Sequence, residues 1–244
     1  MKIKFTFRGT ISLLYFFVSV LISVLFMIPA FILIPFGLRK AGYRYLNRLG
    51  KLYSRNLLFV FGAKVNVNGI ENLPKTNNIC LVSNHQGLMD ILLITGYIPK
   101  TVGFVAKKEL ARIPVMNIWL KAMGCVLIDR KDPRKTVETI QKALKQIQNG
   151  YAMVIFPEGT RSRSSRMGKF KPGSFKLALG ANTFAIPVTI NGTYKIFEET
   201  GAITPGEISL TIHPAIEISK LSEEEKKQLH ETVEKIVRSG LNAS

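Results

Sequence analysis

Residues 78–94 read NICLVSNHQGLMDILLI. The segment opens with a short apolar run, Ile79 to Val82, whose length and polar flanks indicate a buried β-strand. A second apolar run, Ile91 to Ile94, is typical of a helix. The polar residues between the two runs therefore form a strand-to-helix turn, and His85 lies at the point where the strand ends.

This turn contains a candidate catalytic pair, His85 and Asp90. Positions five apart on a continuous helix point about 140° away from each other, so the two side chains meet only if His85 precedes the helix. Gly87 permits such a turn. A carboxylate bonded to one imidazole nitrogen leaves the other free to take a proton from a hydroxyl group. A histidine and an aspartate that only cap the helix are the alternative, and the spacing alone does not separate the two.

The rest of the chain predicts the fold class. Beyond Gly62, short β-type runs alternate with amphipathic helical stretches, which indicates an α/β domain with a mixed central sheet flanked by helices. Two long helices are predicted over residues 132–150 and 222–240, from their caps and apolar periodicity. The predicted strands are 64–68, 78–83, 103–106, 124–128, 152–156, 184–190 and 207–213.

The amino-terminal segment is strongly apolar. Residues 9–38 contain no charged side chain, and the run 11–28 approaches the roughly 18 to 20 residues that a membrane-spanning helix requires. Pro29 and Pro35 break the helix pattern. A basic stretch with interleaved aromatic and leucine residues follows over 39–55, typical of an amphipathic helix on a membrane surface. We expect a kinked pair of helices that dips into one leaflet from the cytosolic side, with a single span as the alternative.

A signal peptide would also combine basic residues with an apolar run. The run here exceeds the usual signal length and lacks a clear Ala-x-Ala cleavage site, so we expect the segment to be retained. The predicted organisation is a set of membrane-associated helices over 1–62 and a catalytic domain over 63–244. The predicted location is the cytoplasmic face of the cell membrane.

The composition indicates anionic partners. The chain has 34 Lys and Arg residues against 16 Asp and Glu, a formal net charge of +18 at pH 7. Such a charge attracts phosphates, anionic lipid surfaces or nucleic acid, and does not distinguish among them.

The cysteines and histidines predict neither a disulfide nor a metal site. Cys80 and Cys125 each lie in a short apolar run, so we expect reduced core thiols in a cytosol-facing compartment. The three histidines are too scattered for a metal site. The sequon Asn191-Gly192-Thr193 is interpreted as a turn, because Asn-Gly is first of all a turn signal.

Four segments occur in a characteristic order: the His85–Asp90 turn, GCVLIDR at 124–130, FPEGTRS at 156–162 and IPV at 186–188. In that order they resemble the motifs of the glycerolipid acyltransferase family, in particular the bacterial 1-acylglycerol-3-phosphate acyltransferases, over roughly 62–213. The resemblance implies that His85 and Asp90 form the His-x4-Asp catalytic pair. It also implies a substrate-binding site made of Lys107, Arg130, Glu158, Gly159, Thr160 and Arg161.

The chemistry of these residues agrees with a phosphate site. Gly159 follows an apolar strand and allows a ligand to approach the backbone closely. The guanidinium groups of Arg130 and Arg161 present a planar fork of donors that matches phosphate oxygens. Glu158 has two open interpretations: a carboxylate that binds a substrate hydroxyl, or the ion-pair partner of an arginine. The basic residues at 163, 166, 169 and 171 are interpreted as a solvated loop.

The resemblance implies transfer of a fatty acyl group to the sn-2 hydroxyl of 1-acyl-glycerol 3-phosphate, giving phosphatidic acid. The expected partners are the membrane phospholipid surface, lysophosphatidate and a thioester of acyl carrier protein or coenzyme A, with no nucleic acid, metal or other cofactor. Because Gly-x-Ser-x-Gly is absent, we expect direct transfer with His85 as general base, and a covalent route through Ser83 is the alternative. Other open functions are acylation of glycerol 3-phosphate or a lysophospholipid, and a non-catalytic module that binds anionic membranes.

Overall fold

The chain folds into a mixed sheet with helices on both faces, as shown by a computed structural model that describes residues 7–129 and 132–242. Within these residues the strands are β1 (Ala63–Asn68), β2 (Ile79–Ser83), β3 (Val102–Lys107), β4 (Val126–Ile128), β5 (Ala152–Ile155), β6 (Phe184–Asn191), β7 (Gly206–Ile212) and β8 (Ile216–Glu217). The helices are α1 (Phe7–Leu33), α2 (Arg39–Val60), α3 (Met89–Tyr97), α4 (Met116–Ala122), α5 (Pro133–Gln148), α6 (Lys176–Ala181), α7 (Thr193–Ile196) and α8 (Glu223–Asn242).

The sheet places the carboxyl ends of five strands at one edge. The strand order is β1-β7-β6-β2-β5-β3-β4, and β8 pairs with β6. Strands β2 to β6 run parallel to one another, β7 runs antiparallel to β6, and β1 runs parallel to β7. In open sheets of this kind, ligands bind beside the carboxyl ends of parallel strands.

Burial explains why the predicted strands form. Every residue of β2 and β5 is buried, which matches their continuous apolar sequences. The edge strand β1 alternates half-buried and exposed positions. Each predicted strand is confirmed with its ends displaced by two residues at most, and only the short β8 was not foreseen.

Helices cover the sheet on both faces. Apolar residues of α2 and α3 pack on one face, and those of α5, α6 and α8 pack on the other. The predicted capping box at the start of α8 is confirmed: the Ser222 N–H donates to Glu225 Oε2 at 2.8 Å, and the Glu225 N–H donates to Ser222 Oγ at 3.3 Å.

The first helix differs from the prediction. We expected Pro29 to break it, whereas α1 continues through Pro29 and ends at Leu33, two residues before Pro35. A single proline removes one backbone donor, which a helix of 27 residues tolerates. At its carboxyl end the Ile34 N–H donates to the Ala30 carbonyl at 3.0 Å. The chain reverses only at Gly37, where φ is +84°.

Helix α1 presents a long apolar surface. Within the described residues, Gly9–Leu33 is the one helix long and apolar enough to cross a membrane by length and composition. Leu14, Leu21 and Leu25 are each more than 60% exposed. Serines on another face bond to the protein: Ser23 Oγ accepts from Trp119 Nε1 at 2.9 Å, and Ser19 Oγ lies 2.9 Å from the Tyr53 hydroxyl. A helix with one protein-facing side and wide apolar exposure suggests association with a membrane.

Helix α2 shares the core of the sheet. Leu57, Leu58 and Phe61 are buried in the same apolar cluster as residues of β2, β5 and β6. The predicted division at residue 62 therefore falls within a continuously packed region.

Deleting residues 1–62 is expected to lower the melting temperature strongly. The deletion removes buried Leu57, Leu58 and Phe61, and truncating one such side chain costs about 2–5 kcal/mol. A shorter deletion of residues 1–36 keeps α2, so it should reduce binding to phospholipid vesicles more than it reduces stability. Thermal melting in detergent and co-sedimentation with vesicles measure the two effects. Equal melting temperatures for the two truncations would contradict the assignment of α2 to the core.

Candidate active site

The candidate site lies where the five parallel strands end. His85 follows β2, Glu158 and Arg161 follow β5, and Thr193 follows β6. Lys107 is the last residue of β3. Because β6, β2, β5 and β3 are successive neighbours in the sheet, polar residues from distant parts of the sequence converge on one edge.

The predicted pair is in contact. His85 Nδ1 lies 2.6 Å from Asp90 Oδ2. As predicted from the spacing, His85 precedes helix α3, which begins at Met89 and carries Asp90 in its first turn.

Asp90 is held by hydrogen bonds on both oxygens. Its side chain is fully buried, and Oδ2 accepts the backbone N–H groups of Gln86 at 2.7 Å and Gly87 at 3.0 Å. The Thr193 hydroxyl donates to Oδ1. Since Oδ2 already accepts two backbone protons as a carboxylate, the third group that bonds to it, His85 Nδ1, is the donor. In the neutral ring, a proton on Nδ1 leaves the lone pair on Nε2.

The His85 ring is also held in place by stacking against one of its faces. It stacks on Phe156 with ring centroids 4.0 Å apart and an interplanar angle of 16°. The side chain is 18% exposed, so the ring reaches the surface at its edge. A neutral imidazole with a fixed tautomer, a fixed plane and a partly exposed side chain is suited to act as a general base.

Glu158 braces the backbone of the turn. Its Oε1 accepts the His85 N–H at 2.6 Å, and its Oε2 accepts the Gly168 N–H at 2.7 Å. Burial raises the pKa of Glu158, and the two backbone donors partly offset the shift. Each carboxylate oxygen therefore accepts one backbone N–H, which gives Glu158 a positioning role that was not expected from the sequence. Each oxygen keeps a further lone pair, so the expected role as a ligand of a substrate hydroxyl stays a prediction.

The segment after β5 runs alongside the His85 turn. The Ser162 N–H donates to the His85 carbonyl at 2.8 Å, and the Arg163 N–H donates to the Gln86 carbonyl at 3.0 Å. Gly159 has φ of +76°, where an L side chain would be strained. The Gly159 N–H donates to the Phe156 carbonyl at 3.0 Å, so this amide is already used within the turn.

Arg161 pairs with an acidic residue that the sequence did not indicate. Its NH1 donates to Glu198 Oε1 at 3.1 Å, whereas we had considered Glu158 as the partner. The same Glu198 oxygen accepts the Leu88 N–H at 2.8 Å. Arg161 is 29% exposed at its side chain, so the guanidinium faces the surface while its partner lies beneath it.

Other predicted binding residues have no described hydrogen bond to this network. Thr160 and Lys107 are exposed, and Lys107 Nζ lies 3.8 Å from Glu109 Oε2. The neighbouring lysine, Lys108, pairs with Asp129 at the end of β4. Arg130 lies outside the described residues. The basic residues at 163, 166, 169 and 171 are exposed, in agreement with a solvated loop.

The surroundings of Ser83 and of the two cysteines bear on whether any of them could act as a nucleophile. Ser83 is fully buried, and its hydroxyl donates to the Asn84 carbonyl at 3.0 Å, which does not favour a covalent route. Cys80 and Cys125 are free thiols, as predicted, and burial raises the pKa of each to about 12. Neither thiol is poised to act as a nucleophile.

Three positioning residues were missed from the sequence, two of them after β6. Thr193 was interpreted only as part of a turn, and Glu198 lies beyond the last of the four motifs, in a segment without a recognisable pattern. Asn84 was also missed: its amide donates to the Ile190 carbonyl and accepts the Ile190 N–H, each at 2.8 Å, so it locks β2 to β6. A usable signal was present for Thr193, because it follows a strand whose carboxyl end lies beside His85.

The chain is similar to known acyltransferases. The family model described as Acyltransferase matches residues 64–191, more than half of the chain. The 1-acyl-sn-glycerol-3-phosphate acyltransferase of Borreliella burgdorferi is 37% identical over 173 residues, which cover 70% of this chain and 69% of that protein. The chloroplastic 1-acyl-sn-glycerol-3-phosphate acyltransferase BAT2 of Brassica napus is 32% identical over 224 residues, which cover 90% of this chain and 64% of that longer protein.

A solved structure extends the similarity to the fold. The crystal structure of the 1-acyl-sn-glycerophosphate (LPA) acyltransferase PlsC from Thermotoga maritima matches with a TM-score of 0.80 at 30% identity. The match covers 97% of this chain and 95% of that one. The family resemblance of the four motifs is thereby confirmed. The chain belongs to the acyltransferase family.

Proposed function

We propose that the chain transfers a fatty acyl group from an acyl thioester to the sn-2 hydroxyl of 1-acyl-glycerol 3-phosphate, giving phosphatidic acid. The observation that carries the proposal is the 2.6 Å contact between His85 Nδ1 and buried Asp90 Oδ2 beside the Arg161 cation. The relatives from Borreliella burgdorferi and Thermotoga maritima are named for this acceptor.

The proposed chemistry is direct transfer. His85 Nε2 takes the proton of the acceptor hydroxyl as its oxygen attacks the thioester carbonyl carbon. The charge that develops on the imidazole is stabilised by the Asp90 carboxylate. When the tetrahedral intermediate collapses, the carbon–sulfur bond breaks and the imidazolium returns the proton to the leaving thiolate. The products are an ester and a free thiol, and His85 is neutral again.

The acceptor phosphate is proposed to bind at Arg161. A guanidinium has five N–H donors in a planar fork, and the ion pair with Glu198 uses NH1, so other donors remain for phosphate oxygens. Lys107, Arg130, Gly159 and Thr160 are proposed to complete the phosphate site from the neighbouring strand ends. Glu158 is proposed to act indirectly, through the backbone of His85.

The membrane-associated helices are proposed to bring the site to its lipid substrate. The apolar surface of α1 would insert into one leaflet from the cytoplasmic side, as a helix pair with α2, and a single span is the alternative. Free thiols at Cys80 and Cys125 are consistent with a reducing compartment. Acyl carrier protein and coenzyme A both remain as carriers of the acyl group.

A panel of acceptors tests the proposed function. The purified chain is offered lysophosphatidate, glycerol 3-phosphate and lysophosphatidylcholine, each with acyl-coenzyme A and with acylated acyl carrier protein. We expect the highest kcat/KM for lysophosphatidate, because it combines a phosphate for Arg161 with an acyl chain for the membrane face. Faster transfer to another acceptor would reassign the substrate. Vesicle binding without transfer to any acceptor would indicate a non-catalytic membrane-binding module.

Arg161→Ala is expected to raise the apparent KM for lysophosphatidate while changing the KM for the thioester little. A hydrogen bond to a charged group contributes roughly 1.5 to 3 kcal/mol, so kcat/KM should fall about 10- to 150-fold. Arg161→Lys should restore only part of the loss, because an ammonium lacks the planar fork. Steady-state kinetics with each substrate varied in turn measures this.

The matched control is Arg166→Ala, an exposed arginine in the same loop. It removes one positive charge near the site, so a general electrostatic effect would appear in both variants. An unchanged acceptor KM in Arg161→Ala would remove Arg161 from the binding site. An equal rise in both variants would assign the effect to net charge.

A further inference from the structure

We infer that Glu198 is a positioning residue that joins the phosphate-binding Arg161 to the turn carrying the catalytic base. The inference rests on the proposed function, and it concerns a residue outside the matched family region of 64–191. Glu198 lies just after α7 and touches neither His85 nor Asp90 through any described hydrogen bond. Its effect on the reaction would pass through the two groups that it holds.

One oxygen of Glu198 connects the two parts of the site. Oε1 accepts the backbone N–H of Leu88 at 2.8 Å and the NH1 group of Arg161 at 3.1 Å. Leu88 lies between His85 and Asp90 in sequence, so this bond holds the turn at a second point, in addition to the bond from the His85 N–H to Glu158. A displacement of the carboxylate would therefore move the cation and loosen the turn together.

The burial of Glu198 indicates a functional task. Its side chain is 1% exposed, and its Oε2 is buried with no hydrogen-bond partner among the described residues. Burial raises the pKa of Glu198, while the Leu88 N–H and the Arg161 charge oppose the shift. A half-satisfied buried carboxylate is costly for stability, and residues of this kind cluster at functional sites.

Gly87 leaves space for the Glu198 carboxylate because it has no side chain. A Cβ atom at Gly87 would lie 2.4 Å from Glu198 Oε2 and 2.8 Å from its carboxyl carbon. Gly87 is not among the glycines with positive φ, so the glycine is explained by the close approach of Glu198 and not by a left-handed backbone. The turn was expected to require Gly87 for its own conformation, and the structure gives this different reason.

The segment from Thr193 to Glu198 holds the turn at both ends. Thr193 donates its hydroxyl to Asp90, and Glu198 accepts from Leu88 and Arg161. Arg161 thus has a fixed location before substrate binds. A cation held in place loses less conformational freedom when phosphate arrives, so acceptor affinity should depend on Glu198 even though its own charge repels phosphate.

Glu198→Ala is expected to lower kcat/KM for lysophosphatidate by about 10- to 100-fold, mainly through a higher acceptor KM, with little change in the thioester KM. Glu198→Gln should recover most of the loss, because an amide oxygen still accepts from Leu88 and Arg161. The matched control is Glu199→Ala, which removes the adjacent exposed carboxylate and should behave like the unmodified chain.

A double-variant cycle shows whether Glu198 acts through Arg161. In the Arg161→Ala background, Glu198→Ala should change the acceptor KM by less than about threefold, because residues that act as one unit are not additive. The inference would be overturned if the double variant raised the acceptor KM by the product of the two single effects. It would also be overturned if Glu198→Ala had the same kcat/KM as Glu199→Ala. The inference would also be overturned if Glu198→Gln raised the KM for lysophosphatidate and the KM for the thioester equally and lowered the melting temperature strongly. Absence of acyl transfer by the unmodified chain would instead refute the proposed function.

Discussion

Replacing His85 with alanine is expected to abolish nearly all acyl transfer and to leave the fold intact. A positioned general base contributes about 10² to 10⁴ in rate, and no other described group holds a free imidazole nitrogen at this edge. Asp90 would keep its bonds from the Gln86 and Gly87 N–H groups and from Thr193, so the turn should persist. The initial rate of transfer and the melting temperature measure the two effects.

The matched control is His230→Ala, which removes the half-buried histidine of α8. It should transfer acyl groups at the normal rate, because His230 bonds to Lys227 of its own helix and not to the site. A His85→Ala variant with near-normal turnover would refute the general-base role. An unfolded His85→Ala variant would show that the ring is needed for structure.

Asp90→Asn is expected to lower kcat by about 10² to 10⁴ while preserving the fold. Asp90 Oδ2 accepts from His85 and two backbone N–H groups, whereas among the described residues Oδ1 bonds to the Thr193 hydroxyl alone, which can also accept. An asparagine can therefore place its oxygen toward His85 and its NH₂ group toward Thr193. The ring keeps its tautomer and loses the negative charge that stabilises the imidazolium.

Asp90→Ala separates the charge from the hydrogen bonds. It leaves the buried N–H groups of Gln86 and Gly87 without an acceptor, and each unsatisfied buried group costs about 1–3 kcal/mol. The alanine variant should therefore lose melting temperature as well as activity, unlike Asp90→Asn. Wild-type kcat in Asp90→Asn would show that the carboxylate charge contributes nothing to the reaction.

The sequence predicted those features of the fold that depend on local pattern. Continuous apolar runs located the strands, and cap residues located α5 and α8, because burial and capping are properties of neighbouring residues. Helix geometry gave the condition for a contact between His85 and Asp90, that the histidine precedes the helix, and the family resemblance implied the pair. Pro29 was misjudged because proline lowers the stability of one turn and does not by itself end a long apolar helix.

The remaining part of the site depends on tertiary structure. Glu198 reaches Arg161 across 37 residues and Leu88 across 110 residues of sequence, and no local pattern encodes such pairs. The backbone contacts of Glu158 were not foreseen, because the N–H groups of His85 and Gly168 are brought to it only by tertiary packing, with β2 beside β5. Gly87 was noticed for its flexibility, whereas its missing side chain makes room for Glu198.

The identity and stoichiometry of the products test the proposed acyl transfer most directly. The unmodified chain is incubated with 1-acyl-glycerol 3-phosphate and a thioester carrying an isotopically labelled acyl chain, and lipid and thiol are quantified together. Direct transfer predicts one phosphatidate for each free thiol, with the labelled chain at the sn-2 position and no label on the protein. Thiol release without labelled phosphatidate, or label retained covalently on the protein during turnover, would contradict direct transfer to the lysophosphatidate hydroxyl.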